Sequence, residues 1–144
     1  MKWATRPGVH VDRAGCAWLI RRFIDPAAQF SFVTDPTSVP TGTTPFDMRG
    51  VPLSHLQGRC TFETALIQYS LTADPVLEDR PHRARADLGN EQFDAPEAPG
   101  LDVLIRGLSL ISTNDEQTLA VTDQIFDGLY EHTRRRLLTG RPPA

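Results

Sequence analysis

"GVHVDRAGCAWLIRRFIDPAAQFSFV", residues 8–33, runs from a turn through a helix and a break into a strand, and its reading decides the fold class. Pro7-Gly8 marks a turn, and residues 2–5 and 9–11 on either side are short mixed segments that read as an extended lead-in. Asp12 is expected to cap a helix, because its side-chain oxygen can accept from N–H groups that a first helical turn leaves unpaired. Cys16, Leu19, Ile20 and Phe23 then recur at i, i+3, i+4 and i+7 with Arg21 and Arg22 off that stripe, which predicts an amphipathic helix. Asp25-Pro26 ends it, since proline cannot continue the backbone ladder. "QFSFVT" (29–34) alternates as a strand should.

Outward from this stretch, Pro36, Pro40, Gly42, Pro45, Gly50 and Pro52 predict a long loop with a short strand near Phe46. Thr61 starts a second helix on the stripe Phe62, Ala65, Leu66 and Tyr69, with Glu63 in the first turn, where the helix dipole favours an anion. A third helix begins at Asp74-Pro75, is interrupted by Pro81 and finishes at Gly89-Asn90. Leu101, Leu104, Ile105 and Leu108 line a fourth. Asn114 and Gln117 form a capping-box pattern, and Leu119, Thr122, Phe126, Leu129 and Thr133 continue as a fifth helix. The expected architecture is a single α+β domain over residues 1–144, helix-rich, with about five helices packed on a small N-terminal sheet of two or three strands.

Composition narrows the function classes. A chain of 144 residues with formal charge −3 is not built to coat nucleic acid, so direct nucleic-acid binding is not expected. Two cysteines make no disulfide scaffold and point to a reducing, cytoplasmic compartment. No apolar run approaches the roughly 20 residues a membrane span needs, and no export signal is evident. P-loop, dinucleotide-fingerprint and nucleophile-elbow motifs are absent, which removes the commonest nucleotide and serine-hydrolase readings. The basic run at 134–136 reads as favourable charge closing a helix.

The residues able to carry chemistry fall into two groups, His10, Asp12 and Cys16, and His55, Cys60 and Glu63, each where a loop runs into a helix. Imidazole, thiolate and carboxylate on rigid elements suit a transition metal, and the mixed N/O set favours zinc, iron or manganese over magnesium or calcium. We expect the two corners to converge on one divalent ion, with Glu63 as a ligand or as the base of a metal-dependent reaction. Plainer readings stand beside these: Asp12 as a cap, Cys16 as a small buried hydrophobe, Glu63 as a first-turn charge. No spacing matches a standard metal motif.

"GVHVDRAGCAWLIRRFIDPAAQFSFV", "PFDM.GV.LSH....CTFET", "PEAPGLDVLIRGLSL" and "FDGLYEH" follow one another along nearly the whole chain, and together resemble the C-terminal domain of ChrB-type chromate-resistance proteins. The resemblance implies a part in chromate or metal-stress resistance, with chromate or another small oxyanion as a partner. In that family the domain usually follows an N-terminal regulatory region, and no helix-turn-helix replaces it here. Relatives carry a histidine and an aspartate shortly before the Asp87-Leu88 position, whereas this chain reads "HRARADL" with Ala84 at the histidine's place and His82 nearby. Three functions follow as expectations: a metal-binding domain, a metal-dependent enzyme acting by redox or hydrolysis, and a regulatory interaction domain without metal.

Overall fold

The computed structural model of the chain describes residues 1–79 and 97–140. The pieces run β1 (Lys2–Thr5), α1 (Val11–Leu19) continued by a π-helical segment (Ile20–Ile24), β2 (Gln29–Phe32), a 3-10 turn (Pro36–Ser38) and β3 (Thr43–Pro45). The helices α2 (Thr61–Gln68), α3 (Pro75–Asp79), α4 (Ala98–Ile111) and α5 (Asp115–Thr139) follow. The expected class, helix-rich α+β with a small N-terminal sheet, is what forms. The expected end of the third helix, with Pro81, His82, Ala84, Asp87 and Gly89-Asn90, lies outside the described residues.

The sheet has the order β2-β1-β3 and is parallel throughout. Parallel neighbours need a crossover, and α1 supplies it between β1 and β2. Trp3 pairs in register with Phe30 and Thr44. Its ring meets Phe46 edge-on at 6.5 Å, and its indole N–H donates to Asp25 Oδ2 at 2.9 Å. That bond lets a large aromatic sit fully buried without an unpaired donor.

Helix α1 departs from the expected amphipathic pattern: every residue from Val11 to Ile20 is buried. It is a central helix, packed against α2, α4 and α5, and no face of it is left for solvent. At Gly15 there is room for a methyl and little more, for a Cβ there would already be in ordinary contact, 3.4 Å from the Phe62 ring and 3.5 Å from that of Phe126. The extended lead-in reaches only His10 (φ −121°, ψ 178°), since Val11 already begins the helix.

The long α5 starts at Asn114, whose side chain accepts from Gln117 N–H at 2.9 Å, and ends at Gly140 in a left-handed conformation (φ 70°) that glycine adopts without steric cost. Its expected stripe holds, with Leu119, Thr122, Phe126 and Thr133 buried. On α4 the stripe is rotated from the expectation: Ile105 and Ala98 are buried, while Leu104 is 63% exposed.

Candidate functional site

The site forms where the start of α1, the start of α2 and the loop after β3 meet. His10, not Asp12, is the N-cap of α1, with Nδ1 accepting from Arg13 N–H at 3.5 Å. Asp12 sits in the first turn, two residues on, and caps a different helix. Its Oδ2 accepts from Thr61 N–H at 3.0 Å and its Oδ1 from Phe62 N–H at 3.1 Å, so it satisfies the first orphan donors of α2 from across the core. The same Oδ2 lies 2.6 Å from His55 Nε2. Asp12 is fully buried, and His55 is 39% exposed.

The third member escaped the sequence reading. Asp47 follows β3 with φ 52°, a left-handed conformation that aspartate tolerates better than most residues. Its N–H is held by Leu53 O at 2.8 Å. Oδ1 accepts from Thr61 Oγ1–H at 2.7 Å and lies 3.6 Å from His55 Nε2. Oδ2 lies 3.3 Å from His10 Nε2 and 3.0 Å from Arg13 Nε, but at angles that leave it without a well-formed hydrogen bond among the described residues. Burial works against the charge of Asp47, yet His10, Arg13 and Thr61 together hold its carboxyl below the usual carboxylate range.

Arg13 is the other unforeseen residue. Though 7% exposed, it reaches the carbonyls of Pro7, Gly8 and Asp47, and so ties the turn before α1 to the loop carrying Asp47. A sequence signal for Asp47 did exist, since it lies in the same "PFDM.GV.LSH" stretch as His55. Arg13 offered none, because an arginine in a first helical turn reads as a surface charge.

Asp12, Asp47 and His55 offer three ligand atoms that all lie within 4.8 Å of one another. His10 adjoins this group through Asp47, so three of the six expected site residues gather around one carboxylate pair. Cys16 is buried beneath it, its thiol 3.9 Å from Asp12 Oδ1. Burial pushes that thiol well up, and the Asp12 and Asp47 carboxylates push it further, so Cys16 is a protonated packing residue in this state. Cys60 is the N-cap of α2, and its N–H donates to Glu63 Oε2 at 3.1 Å in a capping box. Both cysteines are buried and free of disulfide.

A cavity of about 390 Å³ opens beside His55, bordered by Arg49, Gly50, Val51, Pro52, Ser54 and Leu56. Among the described residues no helix is long and apolar enough to cross a membrane.

The chain matches the family model described as ChrB, C-terminal domain, over residues 3–133. It is similar to Protein ChrB of Cupriavidus metallidurans, with 35% identity over 132 residues. The alignment covers 91% of this chain and 40% of that protein, so the chain spans less than half the length of the curated relative it matches. No solved structure matches it.

Proposed function

The chain belongs to the ChrB C-terminal domain family, and from that premise we propose that it acts in chromate or metal-stress resistance as a metal-binding domain, holding a divalent transition metal at Asp12, Asp47 and His55. The observation that carries the reading is the convergence of Asp12, Asp47 and His55, whose ligand atoms all lie within 4.8 Å of one another, with the buried Asp47 Oδ2 held by ion-pair contacts to Arg13 and His10. Of the two buried carboxylates, only Asp47 pairs with the buried Arg13 guanidinium among the described residues, which leaves room for further positive charge from a protonated histidine or a cation.

The donor set fits such an ion. Oxygen and imidazole nitrogen suit zinc, iron or manganese, and two carboxylates with one imidazole make an oxygen-rich set that suits manganese or iron. When bound, the ion would supply Lewis acidity or one-electron chemistry. His55 Nε2 and Asp12 Oδ2 are 2.6 Å apart, so both can turn to one ion, and because a ligating imidazole must be neutral, affinity should rise with pH. Asp12 keeps its two backbone donors throughout, which fixes the ligand geometry.

A second reading, a metal-dependent enzyme or sensor acting on a small oxyanion such as chromate, is favoured by the cavity beside His55 with Arg49 on its border. Guanidinium forks suit oxyanions. A base role for Glu63 would require it to leave the Cys60 N–H.

Untagged protein loaded separately with zinc, manganese and ferrous iron tests the reading by elemental analysis and thermal shift. We expect one ion per chain and a raised Tm with at least one metal, both lost in Asp47→Asn and His55→Ala. A chain that takes up none of the three and melts at one temperature regardless is the regulatory, metal-free domain instead.

A further inference from the structure

Helix α4 carries two apolar faces, and the described residues pack against only one. Ile105 is fully buried and Ala98 nearly so, against the core. On the opposite side Val103, Leu104, Leu110 and Ile111 are 67, 63, 86 and 81% exposed. The only charges on the helix, Asp102 and Arg106, pair with each other at 3.0 Å and lie outside this second face. A helix that is apolar all round is normally buried all round. Four large side chains exposed together make a patch on the order of 300–600 Å², the size at which a monomer's largest patch is often functional.

We propose that this face is a self-association surface, on which a second copy of the chain packs its own α4 antiparallel about a two-fold axis at Gly107. The arrangement of residues argues for a second copy over an unrelated partner. Leu104 and Leu110 lie three positions on either side of Gly107, and Val103 and Ile111 lie four on either side. All five fall within an arc of roughly 120° on the helix. Such a pattern is its own complement: in an antiparallel pair crossing at Gly107, each Leu104 meets the other copy's Leu110 and each Val103 its Ile111, as an isologous interface requires.

Gly107 supplies the second observation. Glycine is among the poorest helix formers, so one in mid-helix normally answers to a close neighbour. Among the described residues it has none, for a Cβ built there meets nothing within 4 Å. The left-over space is where a second helix would approach most closely. Two such faces, with their rims, would bury on the order of 1,000 Å², the lower limit for a specific interface. The proposal is independent of the metal reading, since α4 contributes no residue to that site.

Sedimentation equilibrium of the untagged chain at about 100 µM, where a dimer with Kd near 1 µM is almost fully formed, should give twice the 16.0 kDa chain mass. Leu110→Glu with Ile111→Glu should return it to one chain mass with the helical circular dichroism retained. Gly107→Cys should cross-link to a dimer under mild oxidation, because residues on the axis face their own copies within the roughly 7 Å between Cα atoms that a disulfide spans. Ser109→Cys, on the Ile105 side of the helix, should not. A wild-type mass of one chain overturns the proposal, whether the face is then covered by another part of the chain or by a different partner. So does a dimer that survives the double glutamate change, or a Ser109→Cys chain that cross-links as readily as Gly107→Cys.

Discussion

Asp12 and Asp47 sit in one hydrogen-bonded group, yet their charges do different work. Asp12 is bound to the architecture: two backbone N–H groups of α2 end on it, so its loss orphans two buried donors at once. Asp12→Ala should cost about 2–4 kcal/mol in urea unfolding with chelator present, combining a lost cap with buried unsatisfied donors. Asp47→Asn should cost less and act on pH dependence instead. A carboxyl whose pKa is lowered by folding contributes stability that is fully present above its unfolded value, near ~3.9, and is lost as pH falls through the lower folded value. Acid unfolding of Asp47→Asn should therefore show a flatter slope below about pH 4 than wild type, and an identical slope would mean that Asp47 is not ionised at the site. Three of the four residues gathered at this centre were legible beforehand. His10, Asp12 and His55 stood out because reactive residue types crowd the two helix starts, whereas Asp47 lay in a proline- and glycine-rich loop whose path only the left-handed turn at that residue determines. The cap on α2 was invisible for a simpler reason: it arrives from 49 residues away, and local capping patterns look only three residues along.

Among the elements, α1 was placed correctly in sequence and misjudged in environment. The periodic stripe from Cys16 to Phe23 located the helix, but Ala14, Gly15 and Ala17 on its other side are small enough to be buried too, and small residues carry little weight in a hydrophobic pattern. Gly15→Ala should be neutral or slightly stabilising by chemical denaturation, because alanine is the better helix former and its methyl would meet Phe62 at an ordinary 3.4 Å. Gly15→Leu should cost about 1–3 kcal/mol or more by overpacking against both phenylalanines. The helix ends in a π-helical turn, with Asp25 N–H bonded to Ile20 O at 2.7 Å, a detail for which the sequence offered only Asp25-Pro26 as a stop. In that turn Arg21 lies over the Phe30 ring at 4.5 Å and reaches Asp123 at 3.0 Å, joining the sheet to α5. On α4, by contrast, apolar residues occur on two faces, and periodicity alone could not say which one the core would take.

For the molecule as a whole, α5 is the brace. Trp18 stacks near Phe126 and Tyr130 with ring centroids 5.9 and 6.0 Å away, and its indole N–H donates to Asp127 at 2.8 Å. Phe126→Ala should cost about 3–5 kcal/mol and lower a single cooperative transition, with far-UV and near-UV signals falling together. Separate transitions would show that the sheet and α1 stand without α5. The span of these contacts also sets a timetable for the newborn chain. Trp18 and Asp127 are 109 residues apart, and a ribosome adding roughly 5–20 residues per second leaves the first waiting on the order of 5–20 s for the second. Throughout that interval the most deeply buried helix among the described residues has been made while the helix that roofs it has not, so a translating chain stalled before residue 126 should bind trigger-type chaperones and be cut by protease within α1, and one released after residue 140 should resist both.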